Sequence, residues 1–188
     1  MTGLGRRGLV GKWAESPVAC SDKVRWRRHR ILAPKLVVRR QSQIRVIDTP
    51  RTFADVAAFI GEFEGRRLPT ARWTHEGHLV AGLWYVWHVG VAEALERLRV
   101  RIRDHNTFVG TPNTDSSGYH ETITRLYVEA IGRLCSSSPG STFEEVLAKL
   151  LSSPMARSDW PLSHYPAEQL FSVRARREWV PPEVSAGG

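Results

Sequence analysis

Apolar residues recur at steps of three and four along the chain from Thr52 onward, and this period constrains the fold more than any other feature of the sequence. Such spacing lines up apolar side chains along one face of an α-helix. No segment shows the alternation of polar and apolar residues that is typical of a half-buried strand. The pattern therefore predicts an all-α protein, a small helical bundle of four to six helices.

Residues that end helices divide this periodic region into separate segments. Gly65 and Pro69 end the first segment, and Gly90 ends the second. A loop rich in Gly, Pro, Asn, Asp and Ser, at 106–118, follows the third. The predicted helices cover residues 52–64, 72–88, 91–105 and 119–135, followed by the shorter segment STFEEVLAKLL. The second helix contains the run LVAGLWYVW, which predicts burial among other helices, although so short an apolar run also fits a strand.

Local signals also predict how these helices begin and which side chains they bury. Hydroxyl side chains stand at three predicted helix starts, where they can accept hydrogen bonds from unpaired backbone N–H groups. These candidate caps are Thr52, Thr74, and Ser141 or Thr142, the last two with Glu144 or Glu145 in capping-box spacing. The predicted core contains Leu79, Leu83, Val86, Leu98, Ile102, Ile123, Tyr127 and Leu134.

The net charge of +8 belongs to the first 50 residues of the chain. They hold twelve Lys and Arg against three acids, whereas residues 51–188 hold fifteen against sixteen. The first segment also lacks periodicity and is interrupted by prolines. We therefore expect a basic, irregular and poorly ordered N-terminal arm at 1–50, a helical-bundle domain at 51–182 and a C-terminal tail at 183–188. The arm could lie on the phosphates of a nucleic acid, or it could be a solvated extension without a function; nothing else in the chain favours nucleic acid.

A few features of the sequence bear on location. Its two cysteines have no spacing typical of a disulfide framework or a zinc knuckle, which favours a reducing compartment. The longest uncharged apolar run is about half of the ~20 residues that a membrane span needs. No apolar stretch typical of a secretory signal follows the N-terminal arginines. We expect a cytoplasmic protein without a membrane span, and the oligomeric state is left open.

Two short segments, WTHEGHL and GYHETIT, hold three of the seven histidines. His75 and His78 are three residues apart on the predicted second helix, so their side chains lie on one face, a spacing that lets two imidazoles share one metal ion. Gly82 follows on the same face and leaves room for a ligand or for a neighbouring helix. His120 and Glu121 are adjacent, so on a helix they diverge by about 100° and only one of them can face the same site.

Two ligand sets follow from this choice. With His120, the site has three nitrogen ligands and an open position, which suits zinc or another divalent transition metal. With Glu121, it has two histidines and a carboxylate, the ligand type of non-haem iron oxygenases. Glu76, Glu121 and Tyr119 are candidates for proton transfer to or from a bound water, and Thr124 could orient a ligand. The hypothesis is a mononuclear metal-dependent hydrolase or oxygenase that acts on a small polar molecule in a His/Glu-lined pocket, roofed by the loop before the fourth helix.

The same residues also have a structural interpretation. A histidine or an acid in the first turn of a helix can stabilise the helix end without any chemistry. His105 ends the apolar stripe of the third helix, and we expect a buried, hydrogen-bonded histidine there rather than a fourth ligand. The alternative hypothesis is a non-catalytic binding or protein-interaction domain whose histidines are structural.

Signatures of other enzyme classes do not occur: the chain has no GxSxG, no glycine-rich phosphate loop and no HExxH. Together with RIRDHN and WPLSHYPAEQLFSVRARREWV, the two histidine motifs resemble those of a family of small bacterial helical proteins, over roughly residues 70–182. The resemblance implies that the basic arm lies outside the shared domain. It implies no particular activity.

Overall fold

The computed structural model describes residues 49–182. Residues 1–48 of the predicted basic arm and residues 183–188 of the predicted tail lie outside the described residues. Within 49–182 every element of regular secondary structure is a helix and no strand occurs, so the predicted all-α class is confirmed and the run LVAGLWYVW is helical. None of the helices in this range is both long enough and apolar enough to cross a membrane.

Six α-helices and three short 3-10 turns make up the described region. The α-helices are α1 (Phe53–Glu64), α2 (His75–Phe108), α3 (Glu121–Ser136), α4 (Phe143–Ser152), α5 (Ala167–Leu170) and α6 (Val173–Arg177). The 3-10 turns are Thr70–Arg72, Pro154–Ala156 and Trp160–Ser163. The five segments predicted from periodicity correspond to α1, to the two parts of α2, to α3 and to α4.

Gly90 divides α2 into two arms. Its backbone has φ 79° and ψ 171°, a conformation that glycine adopts readily and other residues do not, so the helix is broken there. We call residues 75–89 the first arm and residues 91–108 the second arm. Side chains near the start and near the end of α2 line the same cavity, so the arms fold back on one another. The predicted helix end at Gly90 is thereby confirmed.

The helices start at the caps that the sequence predicts. The side chain of Thr52 accepts a hydrogen bond from the backbone of α1, and that of Thr74 does the same for α2. At the start of α4, Thr142 and Glu145 form a reciprocal capping box. Each cap satisfies backbone N–H groups that a helix end leaves unpaired. The Thr74 cap fixes where the first turn of α2 begins, and that turn carries the first histidine motif.

The core lies between α1, the two arms of α2, α3 and α4. Of the predicted core residues, Leu79, Leu83, Val86, Leu98 and Ile102 are buried, whereas Ile123, Tyr127 and Leu134 of α3 are half-buried. Two of these three line the cavity, which explains the surface that they keep. Glycine permits close packing beside the cavity, because a Cβ at Gly82 would lie 2.8 Å from Cδ1 of Ile131.

The chain after α4 packs on the start of α3. Thr122 is fully buried, donates its hydroxyl to the carbonyl of Glu178 at 2.9 Å and accepts from the backbone N–H of Val180 at 3.1 Å. The hydroxyl of Tyr165 donates to the Val180 carbonyl at 2.8 Å. These bonds tie the C-terminal segment to α3 and occupy the polar side of its first turn.

Candidate functional site

A cavity of about 330 Å³ lies between the two arms of α2 and α3. This volume is at the lower end of the range of small-molecule sites, which is about 300–1,000 Å³. Its apolar lining residues are Leu79, Gly82, Leu98, Ile102, Ile123, Val128 and Ile131, and its polar ones are His75, His78, Thr124 and Tyr127. None of these eleven residues carries a carboxylate, an ammonium or a guanidinium group. The predicted His/Glu lining is therefore replaced by histidines and a mainly aliphatic wall.

His75 occupies the first position of α2, and two other elements hold its ring. Its Nε2 lies 2.9 Å from the backbone carbonyl of Met155, in the 3-10 turn after α4. Because a carbonyl can only accept, Nε2 is the donor. Tyr127 of α3 places its ring edge-on to the imidazole, with the centroids 5.5 Å apart. The imidazole is thus held in one orientation at the cavity.

His78 stands one turn further along α2. Its Nδ1 donates to the carbonyl of Thr74 at 2.7 Å, and its ring lies 4.0 Å from that of Trp73. The side chain of His78 is exposed, yet protein atoms crowd its ring closely enough that desolvation lowers the pKa of His78 to about 4. The nearby His75 and His105 rings act in the same direction. His78 is therefore a neutral imidazole near neutral pH.

His120, the third predicted metal ligand, lies elsewhere. It is the N-cap of α3: its Nδ1 accepts from the backbone N–H of Ile123 at 3.3 Å, and its Nε2 donates to the carbonyl of Leu170 at 3.0 Å. Both ring nitrogens are occupied, and the side chain is 7% exposed. Burial, and then the charge of Arg176, lowers the pKa of His120 to about 4. The structure does not bring His120 to the cavity.

Glu121 is also occupied. Arg99 of the second arm donates its Nε to both carboxylate oxygens, at 3.1 and 2.9 Å, and the hydroxyl of Tyr119 donates to one of them at 2.9 Å. Although burial acts to raise the pKa of Glu121, these hydrogen bonds hold it below its usual value. As predicted from their adjacency, His120 and Glu121 face different elements, but neither faces the cavity. A carboxylate held in this way stabilises the packing of α3 on α2.

Of the remaining predicted site residues, one lines the cavity and the others have partners elsewhere in the fold. Glu76 accepts a hydrogen bond from the hydroxyl of Thr49, and Tyr119 is buried beside Glu121. Thr124 does line the cavity. Burial, and then the Glu121 carboxylate, raises the pKa of Tyr119. The cavity therefore gathers His75, His78 and Thr124. The loop that was expected to roof the pocket contributes no lining residue.

The metal-ligand sets predicted from the motifs are not assembled. Among residues 49–182, no three His, Cys, Asp or Glu side chains form a group that could hold a metal ion. The physical reason is that the third member has other partners: His120 caps α3 and binds Leu170, and Glu121 binds Arg99. What the structure does bring together is the pair His75 and His78.

Sequence reasoning missed two contributions to the site. Tyr127 was predicted as core, but it borders the cavity and contacts His75. Its position three residues after Thr124 on α3 was the available signal, because that spacing shares a helix face. The carbonyl of Met155, which orients His75 from eighty residues away, gives no sequence signal at all.

Behind the histidine pair lies a polar group without partners. His105 is 1% exposed, yet neither of its ring nitrogens has a hydrogen-bond partner among the described residues, and neither has the Nε1 of Trp73. The two rings are 5.0 Å apart. Burial lowers the pKa of His105. The expected buried histidine is present, but the expected hydrogen bonds are not found in this part of the chain.

Compared with known proteins, the chain matches no protein-family model, no curated protein and no solved structure. An aliphatic wall can bury the apolar body of a small molecule, and the two imidazoles and the Thr124 hydroxyl can pair with its polar atoms.

Proposed function

We propose that this domain binds a small molecule with a mainly apolar body in the cavity between the two arms of α2 and α3. The observation that carries the proposal is the meeting of an aliphatic wall with two imidazoles, His75 and His78, whose orientations are set by backbone carbonyls. Ligand sites typically have this composition: mostly apolar lining with a few placed polar groups.

The cavity is partly open to solvent, so a small molecule can enter it from the surface. Its volume of about 330 Å³ is several times the roughly 30 Å³ that one water molecule takes up in the liquid. Binding of an apolar body there would remove aliphatic surface from water, at roughly 25 cal/mol per Å² of surface buried.

A thermal-shift measurement on the full chain tests the proposal. Cyclohexanol is a suitable probe, because a guest that binds only the folded state raises Tm with concentration. Ile123→Phe fills the cavity from its half-buried side and should abolish the shift. The matched control is Val100→Phe, an aliphatic-to-aromatic change at a position that is 58% exposed, and it should respond like the wild type. A shift that is absent from the wild type, or equal in Ile123→Phe, contradicts the proposal.

One observation favours a second candidate, a metal-dependent enzyme that uses zinc or iron. His75 and His78 each donate one ring N–H to a backbone carbonyl, which is how metal-ligating histidines are commonly oriented. Two histidines would need further ligands from water or from the bound molecule. The test is elemental analysis of protein incubated with Zn²⁺ or Fe²⁺ and then desalted. Stoichiometric metal that is lost in His78→Ala, but kept in His88→Ala, would support this candidate.

His88 is a close control for His78. Its Nδ1 also donates to the carbonyl four residues before it, at 2.7 Å, and its ring also lies 4.0 Å from a tryptophan, here Trp84. The two histidines therefore share their local geometry, and of the two only His78 is among the cavity-lining residues. Any difference between the variants reports on the cavity rather than on the helix.

A further inference from the structure

The hydrogen bonds of the two cavity histidines determine which nitrogens are left for a guest. Nδ1 of His78 faces the carbonyl of Thr74, and a carbonyl cannot donate, so Nδ1 carries the proton. A neutral imidazole has one donor and one acceptor nitrogen. The Nε2 of His78 is therefore an acceptor.

The same reasoning applies to His75 with the nitrogens exchanged. Its Nε2 donates to the carbonyl of Met155, which leaves Nδ1 as the acceptor of the neutral ring. The two histidines use opposite nitrogens for their backbone bonds, but the outcome is the same. Each imidazole donates its one N–H to a backbone carbonyl and keeps a lone pair on its other ring nitrogen.

The other polar lining groups do not reverse this preference. The hydroxyl of Tyr127 donates to the carbonyl of Arg157 at 3.4 Å, and burial raises its pKa, so it stays uncharged. Thr124 carries a hydroxyl that can donate or accept. No lining side chain is a carboxylate, an ammonium or a guanidinium group, so neither an anionic nor a cationic guest would find such a counter-ion. A buried, unpaired charge is strongly unfavourable.

We propose that the cavity selects an uncharged guest whose polar end donates hydrogen bonds, namely an alcohol or a primary amide on an apolar body, and that His75 and His78 are its specificity-determining residues. This inference rests on the proposed binding function. It adds the chemical class of the guest to that function. Guests of the same shape that can only accept, or that carry a carboxylate, bind more weakly because the histidine lone pairs stay unpaired or face a negative charge.

Matched probes test the selection. Cyclohexanol and cyclohexanone have nearly the same shape, but only the alcohol donates; cyclohexanecarboxamide and cyclohexanecarboxylate form a second pair that differs in charge. Affinities are measured on the full chain at neutral pH by NMR titration, with EDTA present to remove metal ions. We expect the alcohol to bind about tenfold more tightly than the ketone, and the amide about tenfold more tightly than the carboxylate, which corresponds to one hydrogen bond gained or lost.

Variants assign the preference to the histidines. In His78→Phe the ketone should still bind, while the advantage of the alcohol falls to about twofold or less. His88→Phe, which changes a histidine of the same local geometry outside the lining, should keep the full preference. A ketone or a carboxylate that binds as tightly as its partner overturns the inference, and so does an alcohol preference that needs metal or that survives in both His78→Phe and His75→Phe.

Two readouts keep the outcomes distinct. If no probe binds, or if binding survives in Ile123→Phe, the proposed binding function itself fails; if probes bind without selection, only the selectivity fails. ¹⁵N chemical shifts of the imidazoles in the wild type need no variant. They should show Nδ1–H for His78 and Nε2–H for His75, and the opposite tautomers would overturn the inference.

Discussion

In the GYHETIT segment every polar side chain from Tyr119 to Thr122 has a partner within the fold, whereas in WTHEGHL the histidines have one ring nitrogen each to spare. His120 uses both of its nitrogens and Thr122 both donates and accepts. His78 uses Nδ1 alone and borders a cavity. Both segments begin a helix and both contain His and Glu, so residue type does not separate them. Their packing does: the C-terminal segment covers the start of α3, and the start of α2 opens onto the cavity.

The sharpest test of this contrast is the Glu121→Ala substitution. It leaves the half-buried guanidinium of Arg99 without its main partner, and breaking a buried ion pair is strongly destabilising. We expect a loss of about 3 kcal/mol in the free energy of unfolding, at the lower end for buried pairs because Arg99 keeps some exposure. Urea denaturation measures it. Glu93→Ala, which breaks the exposed pair with Arg97, should change stability by less than about 1 kcal/mol.

If Glu121→Ala lowers the free energy of unfolding as little as Glu93→Ala does, the GYHETIT segment does not have the structural role that its contacts indicate.

The corresponding change in the other motif is His75→Ala. We expect this substitution to lower stability by no more than about 1 kcal/mol, while binding of the alcohol probe is lost.

Lowering the pH should destabilise the protein through His120. Its pKa is lowered to about 4 in the fold by burial, and then by Arg176, against about 6.5 in an unfolded chain. Below pH 6.5 the unfolded state therefore binds a proton that the folded state does not, so stability falls as the pH decreases toward 4, and this group has no effect above 6.5. We expect it to account for a loss of about 2 kcal/mol by pH 5.

The measurement is urea denaturation between pH 7.5 and 5, for the wild type and for His120→Asn. Asparagine keeps a capping side chain but does not titrate. Arg176 and Glu121 are unchanged in both proteins, and His78 and His105 contribute in the same direction to both, so the difference between the two slopes isolates His120. If stability depended on pH equally in the two proteins, this would contradict the conclusion that His120 is buried with a lowered pKa.

Two threonines on α3, two residues apart, give a smaller but well-matched comparison. Thr122→Val keeps the shape of the side chain and removes its hydrogen bonds to the C-terminal segment, which should cost about 1–2 kcal/mol and increase amide exchange at Val180. Thr124→Val, at the cavity, should leave stability within about 0.5 kcal/mol and change only the affinity for the probes. A larger effect on stability at Thr124 than at Thr122 would contradict the conclusion that the Thr122 side of α3 is structural and the Thr124 side serves the cavity.

The smallest expected effect concerns His105. Replacing a buried polar group that has no partner by an apolar one of similar size is nearly neutral or stabilising, so His105→Leu should raise the free energy of unfolding by zero to about 1 kcal/mol. Thermal and urea denaturation together measure this. A loss above about 2 kcal/mol would mean that a buried water satisfies the imidazole.

Much of the fold could be predicted because its determinants are local. The caps Thr52 and Thr74 and the break at Gly90 depend on residues within one turn, and the heptad-like spacing of apolar residues is visible directly. The pairing of His75 with His78 on one face is of the same kind. The partners of His120 and Glu121 are not, because Leu170 and Arg99 are fifty and twenty-two residues away, and nothing in a local pattern names them.

The break at Gly90 sets the spacing of the cavity-lining residues along the two arms of α2. Gly82 and Leu98 lie eight residues on either side of it, and His78 and Ile102 lie twelve, and all four line the cavity. At 1.5 Å per residue the histidine end is about 18 Å from the hinge. One residue inserted in either arm would rotate everything beyond it by about 100° and separate these pairs. We therefore expect an insertion in the loop at 109–120 to disturb these pairs less than an insertion in either arm.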